Sequence, residues 1–424
     1  VHTLDDPNAY GESVYDRFGD TVSISDDYAI VGAMGEGDAG DLYNGKAYIF
    51  DVTTGALSHT LDNPRPWNPN GQNGGDKFGY SVSISGDYAI VGAPVDAEGG
   101  SAYIYNATTG ALVHTLENSN LYGSTYQDEF GSAVAISGDY AIVGAYKEDD
   151  AGGTESGKAY IFNVTTGSLL YTLDNPNPYG SSASDQFGFR VGISSTHAIV
   201  GAAAWVGAAE DDAGGTNSGK AYIYDLSDGS LTHTLDNPNA YSTSADDLFG
   251  QGVGISDDYA IVGAFGEGDA GGTESGKAYI FDVTNGALVK TLDNPNAYGT
   301  SASDRFSWNS IAISGGTAIV GAYWEDDAGG TGSGKAYIFN AGSESAAPVS
   351  SGWSVDLSNV TSDSVSFSVT SQDTFPPDLA FNSDGTKMYI LGYSNGSVFQ
   401  YTLSTSFDLS TASYDSVSFS IASQ

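Results

Sequence analysis

Apolar segments of five or six residues recur along the chain, separated by stretches rich in Gly, Asp, Asn and Ser. Residues 128–174 show the full cycle. Residues 132–137 (SAVAIS) alternate with period two, and Gly138-Asp139 makes a tight turn. Residues 140–145 (YAIVGA) are continuously apolar, as expected of a strand covered on both faces. An acidic, Gly-rich loop leads to a third strand at 158–162 (KAYIF). Thr166-Gly167 turns the chain into a fourth at 168–173 (SLLYTL). The fourth segments are the more polar, as suits an outer edge facing solvent. No helical period stands out.

The cycle repeats. Asp16-Arg17-Phe18-Gly19, Asp76-Lys77-Phe78-Gly79, Asp128-Glu129-Phe130-Gly131, Asp185-Gln186-Phe187-Gly188 and Asp247-Leu248-Phe249-Gly250 open five units, and Asp304-Arg305-Phe306-Ser307 opens a sixth. Successive Phe residues are 60, 52, 57, 62 and 57 positions apart. Four-stranded antiparallel units with buried inner strands predict the blades of a β-propeller; solenoid repeats are shorter and need capped ends. Phe is expected to plug between blades and Gly to let the chain turn into the innermost strand. The recurrent Asp is expected to accept hydrogen bonds from backbone amides at the junction.

The sixth unit ends after its third strand, at 335–339, and passes into the linker-like Gly342–Gly352 (GSESAAPVSSG). Val1-His2-Thr3-Leu4 matches the fourth strands elsewhere (Val113–Leu116, VHTL), so the expectation is a six-bladed ring whose last blade is completed by the N-terminal strand. The domains are then residues 1–341, a linker at 342–352 and a β repeat at 353–424. In that last part, residues 356–372 align without gaps to 408–424, 52 positions on. It begins a second ring or supplies a seventh blade to the first. A chain that opens in mid-strand and stops just after one is expected to be a piece of a longer protein.

The succession Phe-Gly, Gly-Asp, Val-Gly-Ala-Pro (Val91–Pro94) and Ala-Tyr-Ile-Tyr (Ala102–Tyr105) resembles the FG-GAP repeats of propellers related to the integrin α-subunit head. The likeness covers about residues 1–342. Its Gly-Ala-Pro element is complete only in the second copy. The family's calcium loop between the first two strands is replaced here by Ser-Gly-Asp or Ser-Asp-Asp, as at Ser85-Gly86-Asp87, so that metal site is not carried over. The closer resemblance is to bacterial, marine-type or phage-encoded surface repeats. It implies recognition or adhesion at the outside of a cell or virion.

Composition narrows the partners. A formal charge of −40, from 13 basic and 53 acidic residues, repels nucleic acid and anionic membranes and suits salty surroundings. With 28 Tyr, 18 Phe and 5 Trp, the chain is equipped to bury a core. It contains no Cys, which excludes a disulfide scaffold and thiolate metal sites. No apolar run reaches membrane-spanning length, so membrane insertion is not expected. No nucleophile elbow, metalloprotease helix or phosphate loop is present, and four of the five His fall in fourth strands.

Two sets of residues remain as candidate sites. Loops between second and third strands carry Glu148, Asp149 and Asp150, Glu210, Asp211 and Asp212, and Glu325, Asp326 and Asp327. Clustered carboxylates make calcium the candidate cofactor, although neighbouring acids in an extended loop point opposite ways and the alternating spacing of a calcium loop is missing. A Lys follows in five units (Lys46, Lys158, Lys220, Lys277, Lys335) and is expected to pair with a carboxylate, weakly if exposed. Connections between blades carry Tyr10, Trp67, Tyr122, Tyr179, Tyr241 and Tyr298, mostly within Asp-Asn-Pro-Asn-x-Tyr. On the same face as the acidic loops, these rings offer a surface for a glycan or a protein epitope; the structural alternative is that each packs over its neighbouring blade. The expected function is therefore recognition, not catalysis, by an extracellular, cell-surface or virion protein that can join a larger surface assembly. A structural spacer and a carbohydrate-active enzyme remain the alternatives.

Overall fold

The computed structural model describes residues 2–7, 16–37, 44–66, 75–96, 99–119, 128–149, 154–176, 185–202, 218–238, 246–268, 274–295, 303–326, 332–342, 366–367, 378–381, 387–392, 397–403 and 412–420. Among them every regular element is a strand, and the strands form seven four-stranded sheets. The architecture is the expected one: antiparallel blades, each wound outward in chain order.

The third blade shows why. Ala133–Ser137, Tyr140–Ala145, Lys158–Asn163 and Leu169–Asp174 pair in sequence, with Ile142 opposite Ala135 on one side and Ile161 on the other. Its second and third strands are almost wholly buried, and the outermost exposes Leu169 and Leu170. Each core lies between two blades. Ile30, Ala47, Ile49 and Leu61 of the first blade pack with Phe78, Val82, Val91 and Tyr103 of the second. Phe78 is fully buried there, its ring 5.6 Å from Tyr103 and 6.1 Å from Tyr105. The interblade plug expected of Phe is thus realised, and equivalent cores follow at the next four junctions.

The innermost strands succeed one another in chain order, and Asp378–Phe381 of the C-terminal sheet lies against both Phe18–Ile24 and Phe306–Ser314, the innermost strands of the first and sixth blades. The pairing expected between residues 1–4 and the sixth blade is not formed among the described residues. Lys335–Asn340 pairs instead with Ser366–Phe367, Ala336 opposite Phe367. Ala336 meets Phe367 as Ala278 meets Leu292 in the fifth blade. The first copy of the C-terminal repeat has taken the outermost position, and the second copy takes it again in Ala412–Ser420. His2 and Leu4 nevertheless sit beside the first blade as a preceding fourth strand would. The His2 ring meets the carbonyl of Thr53, as His59 meets Thr108 and His114 meets Thr165. Leu4 packs against the cluster of Phe18, Val31, Ala33, Tyr48 and Phe50.

A candidate binding site at the axial mouth

The described ends of both kinds of loop lie at one end of the blades. Gly45, which closes an acidic loop, bridges to Phe78 of the next blade, and Gly157 bridges to Phe187. At the same end, Asn63, Asn118, Asn175, Asn237 and Asn294 donate side-chain amide hydrogens to Asp76, Asp128, Asp185, Asp247 and Asp304, over 2.7–2.8 Å. The recurrent Asp therefore receives a side-chain amide from an Asn of the interblade connection, which precedes Pro in four of the five. The residue that follows each Asp has left-handed backbone, with φ of 52–57° at Arg17, Lys77, Glu129, Gln186, Leu248 and Arg305.

The acidic loops are divided between two tasks. Glu148 is fully buried and accepts from the Tyr160 hydroxyl at 2.6–2.7 Å, and Glu267 accepts from Tyr279 at 2.6 Å. Glu36 pairs in the same way with Tyr48. Burial raises these carboxyls, Glu36 to about 8 and Glu148 and Glu267 to about 7, against the tyrosine hydrogen bonds that lower them. Asp149 and Asp326 serve their loops instead, accepting the backbone N–H of Glu155 at 2.9 Å and of Gly332 at 2.7 Å. Lys46, Lys158, Lys220 and Lys277 are buried and reach across to a largely exposed Asp at the end of the fourth strand, as Lys277 does to Asp293 at 2.6 Å. Lys335 pairs with buried Glu325, which also holds Tyr337. Glu148 and Glu325 are thus engaged inside the blade. No group of three or more metal-ligating side chains occurs among the described residues. Asp150, Glu210, Asp211, Asp212 and Asp327 lie outside the described residues, as do Tyr10, Trp67, Tyr122, Tyr179, Tyr241 and Tyr298.

A second constellation, which the repeat pattern did not reveal, lies where the innermost strands begin. In the first, fourth, fifth and sixth blades the register shifts directly after Phe. Such bulges re-aim side chains. Arg190 follows one of them. Its Nε donates to Asn309 Oδ1 of the sixth blade at 3.3 Å, and its Nη1 donates to the Phe189 carbonyl at 3.1 Å. Its guanidinium lies 4.4 Å from the Phe189 ring centre. Phe189 meets Tyr146 of the third blade edge-on at 5.1 Å. Burial pulls the Arg190 guanidinium below its ordinary value, opposed by the nearby Tyr80 and Tyr146 hydroxyls. Arg190 therefore reaches the sixth blade from the fourth, with Tyr146 of the third blade against its neighbour Phe189, which places it at the mouth of the axis. A further aromatic group, Phe265, Trp308, Tyr323 and Trp324, continues around the mouth, and Trp324 is 42% exposed.

The signal for this site is variation within the repeat. The residue after Phe-Gly or Phe-Ser is Asp20, Tyr80, Ser132, Phe189, Gln251 or Trp308, and the residue after Gly-Ala is Met34, Pro94, Tyr146, Ala203, Phe265 or Tyr323. Positions free of the packing demands shared by all blades are free to specialise.

A family model for the FG-GAP repeat matches six segments, residues 9–50, 69–105, 124–162, 178–224, 240–281 and 296–339. Together they cover more than half of the chain, one segment per blade of the first six. No curated protein gave a match.

Proposed function

The chain belongs to the FG-GAP repeat family, and from that membership and its loop face we infer an extracellular or virion-surface recognition protein that binds a cell-surface glycan or protein. FG-GAP repeats are typical of adhesion and recognition propellers, occur typically in extracellular proteins and are typically non-catalytic. Among the described residues no helix is long and apolar enough to cross a membrane, which leaves β-barrels unaddressed.

The observation that carries this reading is the cluster of aromatic and basic side chains at one end of the ring. Aromatic rings with one apolar face and a polar edge are suited to amphipathic partners such as sugars. The opposite end carries short turns, such as Gly138-Asp139 and Thr165-Thr166-Gly167, with little to grip. Repetition around the ring adds avidity for a polymeric partner.

Screening the protein on a glycan array and on intact cells tests the proposal, with a turnover assay on every hit. Replacing Tyr179, Tyr241 and Tyr298 together by Ala should weaken attachment and leave the β-sheet spectrum unchanged. Replacing outer-strand His59, His114 and His233 should change nothing. If the protein attaches to no glycan and no cell, it is a spacer. Bond cleavage in the turnover assay makes it an enzyme.

A further inference from the structure

We propose that Arg190 anchors the carboxylate of an acidic sugar, a uronate, at the axial mouth. The proposal rests on the recognition reading above and gives it a ligand class.

Charge makes Arg190 unusual. The chain carries 53 acidic residues against 13 basic ones, so a cation should find a carboxylate nearby. Other cations of this end do: Arg17 has Asp20 at 3.7 Å, Lys147 has Glu129 at 2.5 Å and Arg305 has Glu274 at 4.0 Å. Arg190 forms no ion pair among the described residues. A guanidinium has five N–H donors in a planar fork, and among the described residues it makes two hydrogen bonds, one to an amide oxygen and one to a backbone carbonyl. Lys77, with its ammonium 5.8 Å from the Tyr80 ring centre, likewise forms no ion pair among the described residues.

Ligand chemistry follows from the surroundings. The guanidinium fork matches a carboxylate in bidentate geometry. Half-burial beside Phe189, which Tyr146 backs, lowers local screening, which strengthens that pairing. The rings beside it offer apolar faces to the C–H face of a sugar. The −40 field penalises every added negative charge, so a short acidic oligosaccharide approaches more easily than a long polyanion.

Calorimetric titration with tetramers of galacturonate, mannuronate and glucuronate, each beside its neutral methyl ester, tests this. A sulfated neutral tetramer and tetraglutamate separate carboxylate from anion and sugar from peptide. At least one uronate should bind, its ester should not, and Arg190→Gln should weaken it about tenfold or more without shifting the melting temperature. Arg190→Lys should recover part of the loss. The ester comparison uses the wild-type chain, so it stands even if a variant fails to fold. Equal binding of acid and ester, unchanged binding by Arg190→Gln, equal binding of tetraglutamate or of the sulfated tetramer, or no binding by any uronate each overturns the proposal. Attachment to neutral glycans or to a protein that ignores Arg190→Gln overturns the uronate site while recognition stands. Absence of attachment to any glycan or cell removes both.

Discussion

Gly144, in the buried second strand of the third blade, shows how closely the blades approach. A β-carbon there would lie 2.1 Å from the carbonyl oxygen of Gly188 in the next blade, and Gly92 and Gly201 face the same contact from Gly131 and Gly250. Gly144→Ala should destabilise by about 1–3 kcal/mol, because neither backbone can yield without displacing a blade; thermal melting measures it, and an unchanged midpoint would deny the contact. The Phe-Gly pair could be read from sequence because its two tasks, filling a gap and adopting φ near 90°, each fit one residue type. The Asn-to-Asp bonds were hidden. Asn beside Pro is an ordinary turn signal, and a bond between side chains ten positions apart has no mark in composition. Asn175→Ala, which takes the amide from buried Asp185, should cost about 1–3 kcal/mol, read in the same melting experiment.

At the scale of the element, the acidic loops look uniform in sequence and are not. A run of Glu and Asp does not say which side chain turns inward until the loop path is known. The inward member meets a third-strand Tyr, and burial raises its pKa well above the ordinary 4.5. The folded chain therefore keeps protons that the unfolded chain has lost. Stability from these groups is fully present below about pH 4.5 and is lost as pH rises through about 7 for Glu148 and Glu267 and about 8 for Glu36. Repulsion among the surface carboxylates acts in the same direction, so melting temperature should fall from pH 5 to pH 8. Replacing all three residues by Gln isolates their share. The variant should show a flatter profile and be more stable than wild type at pH 8 by on the order of 1 kcal/mol. A parallel profile would mean that the three carboxyls ionise freely in the fold.

At the scale of the whole molecule, the way the blades close on one another was the part least visible in the sequence. Two short segments, residues 1–4 and 364–368, both fit a fourth strand, and local pattern cannot rank two candidates for one edge. The C-terminal sheet lies between the first and sixth blades, and we read it as a seventh blade. Removing residues 343–424 should then lower the melting temperature and promote association through the open edges. Deleting residues 1–6 should do the same more mildly, by uncovering Phe18, Tyr48 and Phe50. Either truncation with unchanged melting and monomeric behaviour would contradict its assigned place. Calcium is tested at this scale too. Melting in calcium, magnesium and sodium at matched ionic strength should rise through screening in all three, and an additional calcium-specific rise would place a true site in the loops outside the described residues.

Recognition through the loop end of the ring is the central claim, and the absence of Cys from the chain permits a direct test. Single cysteines can be introduced on the loop end at Glu274, whose side chain is 53% exposed, and on the opposite end at exposed Asp139 and Asp258. Each variant is then capped with a bulky polyethylene-glycol maleimide and its attachment to the responsive cells or glycan is measured. Capping at Glu274→Cys should abolish attachment, and capping at Asp139→Cys or Asp258→Cys should leave it intact. Loss of attachment from the opposite end alone would contradict the account.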